Sequence, residues 1–253
     1  MTLETLLSAR LSLPDLIAVA LLFVAWLGIG WVTERPPVGR PSVSVLMVRF
    51  RREWMRQFVG RDNRIFDGNI LASLREGTAF FASACMIATG GLLALIGNGE
   101  RLRGIAREFE IEELASTGYE MRLLVTMFFI VNAFLKFVWA HRLFGYCAIM
   151  MASVPNRPDD PTALQRAMQA ADLNITAARN FNAGLRSVYF ALASLTWLAG
   201  PYGLMAGTAV VLLVTWRREF ASTSRQVILR SLPAPELSDP ARQRLSERQP
   251  PQP

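Results

Sequence analysis

Leu123 to Ala140 reads LLVTMFFIVNAFLKFVWA, eighteen positions in which only Asn132 and Lys136 interrupt an apolar run. A helix needs about 17 to 25 such residues to cross a hydrocarbon core about 30 Å thick. Lys136 is the only lysine in the chain, against 26 arginines, and His141, the only histidine, follows with Arg142 just beyond the run. Cationic groups inside a membrane segment are functional suspects by default.

Three further regions share this character. Leu16 to Val32 is uncharged, carries Trp26 and Trp31 toward its end and stops at Glu34-Arg35-Pro36-Pro37. Only Arg10 precedes it as a base and no small-x-small cleavage site follows Gly30, so it reads as a retained span rather than a signal peptide. Gly77 to Ile96 is again uncharged. Leu185 to Trp216 would be about 48 Å long as one helix, more than a bilayer requires. Gly200-Pro201-Tyr202-Gly203 divides it, strong punctuation for a helix. An apolar content of 52% beside a net charge of +7 fits a membrane chain, since a soluble domain this basic would be more polar.

Arginine placement decides between a turn and a kink at Gly200. If the chain turns, twenty arginines fall on one side (residues 33–76, 141–184 and the segment after Trp216) and four on the other. The poorer side includes residues 97–120, where three arginines meet six glutamates. Such asymmetry is the positive-inside pattern. The expectation is an all-α integral membrane protein, a single domain over 1–231 with five spans near 16–32, 77–96, 123–141, 185–200 and 202–216. The amino terminus lies outside and the carboxyl terminus in the cytoplasm. A kink would leave four spans and export Arg217-Arg218. Residues 232–253, rich in proline, glutamine and charge, read as a disordered tail.

The arginine-rich segments carry helical patterns. Val43, Leu46, Met47, Phe50, Trp54, Met55, Phe58 and Val59 form one stripe after Pro41-Ser42 and before Gly60, predicting a cytoplasmic helix over 43–59. Arg49, Arg52 and Arg56 lie off the stripe. Lying flat, this helix would bury its aromatic face, Trp54 included, at the acyl boundary and offer the three arginines to anionic lipid headgroups. The same stripe is equally suited to packing on other cytoplasmic helices. A second stripe from Leu164 to Leu185 predicts a helix over 162–184. On it Asp172, Arg179 and Arg186 are spaced by seven and share a face. They form either a groove for an anionic group between Arg179 and Arg186 or, the simpler reading, ion pairs to Asp62, Asp67 or Glu76.

Several segments together resemble a bacterial membrane-protein family known as domain of unknown function 599. They are Glu53-Trp54-Met55, Arg61-Asp62-Asn63-Arg64-Ile65-Phe66-Asp67, Gly77-Thr78-Ala79-Phe80-Phe81-Ala82-Ser83, Lys136-Phe137-Val138-Trp139 with Arg142-Leu143-Phe144, Ala177-Ala178-Arg179-Asn180-Phe181-Asn182, and Trp216-Arg217-Arg218-Glu219-Phe220. The resemblance covers roughly Leu16 to Ser224. It implies an integral protein of the bacterial inner membrane and assigns no activity.

Enzyme templates find little purchase. One histidine and two separated cysteines, Cys85 and Cys147, do not make a zinc site or a disulfide framework, and no phosphate-loop, nucleophile-elbow or zincin motif is present. No cofactor or metal is therefore expected. Glu108, Glu110, Glu112 and Glu113 read as a solvated acidic helix rather than a calcium loop. Topology already explains the basic loops, so nucleic acid is not an expected partner. Two functions remain. The first is a non-enzymatic scaffold or accessory protein, whose partners are the bilayer, anionic headgroups, and either another membrane protein or a second copy of the chain. The second is a small-solute or ion transporter using Asn132, Lys136 and Thr126 of the third span. GxxxG at Gly203–Gly207 and the small ridge Ala84, Ala88 and Gly91 suit close helix contact, within or between chains.

Orientation moves Lys136 away from the bilayer centre. With residues 97–120 outside, the third span ends in the cytoplasm near Ala140 to Arg142, and the lysine stem can snorkel to that rim. The predicted site is a polar cluster there of Lys136, His141, Arg142, Arg179, Arg186, Asp62, Arg64 and Asp67. Beside it lies the basic lipid-facing surface of Arg49, Arg52, Trp54 and Arg56.

Overall fold

A computed structural model describes residues 12–37, 39–98 and 118–230. The predicted tail and the acidic stretch around Glu108 to Glu113 lie outside the described residues. Within them the chain forms helices and no strand: α1 (Leu13–Glu34), α2 (Val43–Val59), α3 (Ile65–Gly97), α4 (Tyr119–Ala152), α5 (Ala163–Leu195), α6 (Pro201–Phe220) and α7 (Thr223–Arg230).

Local chemistry sets the ends. Ser12 and Asp15 form a reciprocal capping box with Pro14 in the first turn of α1. The Ser42 hydroxyl accepts from the Val45 amide and donates to the Thr33 carbonyl at 2.7 Å, so one side chain starts α2 and anchors it to the end of α1. At the start of α5, the Thr162 hydroxyl and amide both donate to Asp160, at 2.6 and 2.8 Å, and hold that carboxyl below its ordinary pKa.

α1, α3 and α4 are long and apolar enough to cross a membrane. Their apolar side chains point outward: Ile87 is 78% exposed and Phe80 69%, the reverse of a soluble core. α5 and α6 do not reach that measure. Charged residues continue along α5 as far as Arg186, and Arg217, Arg218 and Glu219 close α6.

The chain reverses between α5 and α6. A single 3₁₀ turn, Thr196–Ala199, leads to Gly200 at φ 92°, a conformation that favours glycine, and Pro201 starts α6. α6 then runs back along α5. A Cβ on Gly203 would lie 2.6 Å from the Thr196 carbonyl oxygen, and one on Gly207 would collide with the Thr196 hydroxyl. This GxxxG therefore closes an intrachain hairpin. Gly91 has open space instead, so no contact is made at this point of the α3 ridge among the described residues.

Where the sequence predicts separate cytoplasmic helices and spans, the structure has continuous rods. α3, α4 and α5 are 33, 34 and 33 residues long, about 50 Å each. The change from polar to apolar at Gly77 and near Leu185 brings no proline, so the helix continues through it. α4 and α5 form the antiparallel spine. Thr126 meets Ser194 at 2.8 Å, the Ser187 hydroxyl donates to Asn132 at 3.0 Å, and Gly184 lies against Phe137. Ala163, Ala167, Ala170, Ala171 and Ala177 keep α5 close to its neighbours at the arginine-rich end, in a core shared with Met55, Phe58, Leu143, Phe144 and Cys147.

Candidate functional site

The arginine-rich end is a helical head built from α2 and the projecting parts of α3, α4 and α5. Leu46, Met55, Phe58 and Val59 bury the stripe of α2 against this head, so packing on other helices uses the face that could otherwise enter lipid. Arg49, Arg52 and Arg56 stay on the exposed side. Arg52 meets Asp172 at 3.4 Å and Arg56 meets Glu53 at 3.5 Å, both between exposed groups and therefore weak. Trp54 departs from the lipid-facing surface predicted for it: it is half-buried, and its indole N–H donates to Asp67 at 2.6 Å.

Asp67 is fully buried and also receives Arg61. Arg64 donates to the carbonyls of Val154 and Pro155 at 2.8 and 2.9 Å and lies over the Phe58 ring, 4.4 Å from its centroid. These contacts hold the α2–α3 corner to the end of α4. Asp62 is exposed.

The predicted rim cluster separates into distinct groups. His141 is half-buried, its Nδ1 3.2 Å from the Thr78 hydroxyl and 3.3 Å from the Arg75 carbonyl. Arg186 is 9% exposed and pairs with Glu34 at 2.8 Å, while Arg179 is exposed. The two arginines do not converge on a common space. Ion pairing is the arrangement found, but Arg186 takes Glu34 and Asp172 takes Arg52, not Asp62, Asp67 or Glu76. Arg142 is exposed above Tyr146, and half-buried Lys136 has no hydrogen bond or ion pair among the described residues.

Two polar junctions escaped the sequence reading. Arg51 bonds Asn174, whose amide lies 3.7 Å from the Cys147 sulfur, and burial lowers the pKa of that arginine. The signal was present, since Arg51 sits four residues from both Met47 and Met55, on the apolar stripe itself. The other junction joins three helices. Glu219 at the end of α6 accepts from the Ser44 amide and hydroxyl, both at 3.1 Å, and Asn182 of α5 reaches the same hydroxyl at 3.3 Å. Among the described residues, no three His, Cys, Asp or Glu side chains gather as a metal site would require.

Helices that are apolar outside and end in an arginine-studded head define a membrane-protein class. The chain belongs to the family described as "Protein of unknown function, DUF599", whose model matches residues 17–224, from within α1 to the start of α7. No curated protein and no solved structure matches it.

Proposed function

We propose that this is a non-enzymatic scaffold or accessory protein of the bacterial inner membrane, with its arginine-rich head in the cytoplasm against anionic lipid headgroups. In this reading the α5–α6 hairpin supplies a fourth and fifth span, and the amino terminus lies outside. The twenty-to-four arginine asymmetry supports the orientation. The observation that carries the functional reading is the double-sided use of α2. Its apolar face is sealed against protein while Arg49, Arg52 and Arg56 remain outward, beside the ends of the spans. A partner protein that docks on this head would meet the same arginines.

Transport draws less support. Two of the three polar side chains of the third span that would line a path are engaged in helix pairing, Thr126 with Ser194 and Asn132 with Ser187, which leaves Lys136 alone. Such bonds between apolar helices serve as glue.

Spin-labelled phosphatidylglycerol should associate with the reconstituted protein in preference to phosphatidylcholine, and added salt should weaken that preference. Each arginine near a charged leaflet contributes about 1 kcal/mol, less here where Glu53 and Asp172 offset two of them. Joint replacement of Arg49, Arg52 and Arg56 by glutamine should lower the selectivity several-fold, roughly. Equal association of the two lipids, or selectivity untouched by the triple replacement, would refute the lipid reading.

A further inference from the structure

A cavity of about 340 Å³ lies in the head between α2, α3 and α4, a size at which small-molecule sites begin. It exists because Gly68 and Ala72 on α3 and Ala148 and Ala152 on α4 all line it, and each pair is four residues apart on its helix. These positions contribute almost no side chain. A Cβ added at Gly68 would meet nothing within 4 Å.

The cavity wall has a cation at each end. Arg64 is fixed by the Val154 and Pro155 carbonyls, which orient a guanidinium without neutralising it, and its buried Nε–H has no acceptor. Arg75 follows eleven residues later, about 16 Å along the helix, two residues before the apolar stretch that starts at Gly77. Neither arginine has a carboxylate partner among the described residues. Exposed Asn156 adds an amide beside Arg64. An apolar trough with an uncompensated charge at its far end asks for a ligand with an apolar body and an anionic head.

We propose that this cavity binds a single-chain anionic amphiphile drawn from the adjacent leaflet. Its carboxylate or phosphate sits on Arg64 and Asn156, and its chain runs past Ala72 and Ala148 toward Arg75 and the bilayer. The site deepens the lipid-binding reading above and rests on it for the source of the ligand. It differs from that reading in being a cavity for one molecule, whereas the α2 arginines face a surface.

The test uses the full chain in phosphatidylcholine nanodiscs with a fatty acid bearing a mid-chain diazirine, irradiated and mapped by peptide. Label should fall on peptides containing 68–72 and 148–152. Excess unlabelled fatty acid or lysophosphatidic acid should compete it away, while acetate and inorganic phosphate should not. Arg64→Gln should reduce labelling roughly tenfold or more, and Gly68→Leu, which fills open space, should abolish it. Ala148→Leu provides a second filling variant, and a melting curve like that of the unsubstituted protein verifies each fold. Labelling elsewhere, labelling undiminished in the folded filling variants, or full competition by acetate or phosphate alone would overturn the proposal. Gly68→Leu should retain the phosphatidylglycerol selectivity of the α2 arginines. Absence of cavity labelling in the unsubstituted protein, with its phosphatidylglycerol selectivity present, overturns this site and leaves the surface reading standing.

Discussion

Gly184→Val should lower the thermal unfolding midpoint by about 4–8 °C or more, a large effect for a substitution that changes no charge or hydrogen bond. A Cβ at this position would lie 2.8 Å from Phe137 Cε1 and 2.9 Å from Cζ. The ring cannot swing away, because Phe137 is fully buried and packed on Phe81 at 5.2 Å and Phe181 at 5.5 Å. Helix propensity pulls the other way, since replacing glycine inside a helix gains up to about 1 kcal/mol. Overpacking of a filled core typically costs about 1–3 kcal/mol, and the two valine methyls add to the Cβ clash. The net loss should be about 2 kcal/mol or more, while Gly184→Ala, which carries the clashing Cβ without the two methyls, should lose less. Melting of the detergent-solubilised protein, followed by circular dichroism, reads the effect. Phe137→Leu in the same chain should restore part of the loss. A Gly184→Val protein that melts like the original would mean that α4 and α5 do not approach as described.

Asp67→Ala should be comparably severe and should act at the other end of the molecule. The carboxylate is fully buried and ties Trp54 of α2 and Arg61 of the connecting corner to α3. Deleting one partner of a buried ion pair costs about 3–5 kcal/mol. The Arg61 side chain is 38% exposed and can turn to water, which places the loss near the lower end, about 3 kcal/mol. Asp172→Ala is the matched control. Its ion pair with Arg52 joins side chains 65% and 50% exposed, so its loss should stay below about 1 kcal/mol. Equal melting shifts for the two alanine variants would contradict the difference in burial. Because Asp67 holds α2 in place, its loss should also expose the Met55 and Phe58 face to an apolar dye, which Asp172→Ala should not do.

What could be read from the chain without coordinates was local. The helix over 43–59 is found with those bounds because Ser42 and Gly60 act on their own neighbours, and no distant residue is needed to start or stop it. The reversal at Gly200-Pro201 was equally legible, since glycine supplies the positive φ and proline cannot continue the helix before it. Pairing was not legible. Arg186 finds Glu34, 152 positions away, and periodicity carries no information about which carboxylate a tertiary fold will deliver. Nor does a shift in hydropathy mark a helix end. The polar half of α5 and its apolar half are one rod, and a lipid boundary acts on side chains without interrupting backbone hydrogen bonds. Trp54 teaches the same lesson on a smaller scale. It lies on the apolar stripe as read, yet its N–H required a buried acceptor, and Asp67 on the next helix provides it.

The placement of the arginine-rich head in the cytoplasm, with the α5–α6 turn on the opposite side, is the claim on which the functional reading depends. Single cysteines in a cysteine-free background, probed with a membrane-impermeant maleimide, test it directly. Tyr202→Cys replaces a residue 75% exposed beside the turn, and Gln57→Cys replaces an exposed residue of α2. In spheroplasts the Tyr202→Cys protein should label and the Gln57→Cys protein should not, and inverted membrane vesicles should reverse the result. Labelling of both positions from the same side would contradict the five-span arrangement, and labelling of Gln57→Cys from outside alone would turn the molecule over.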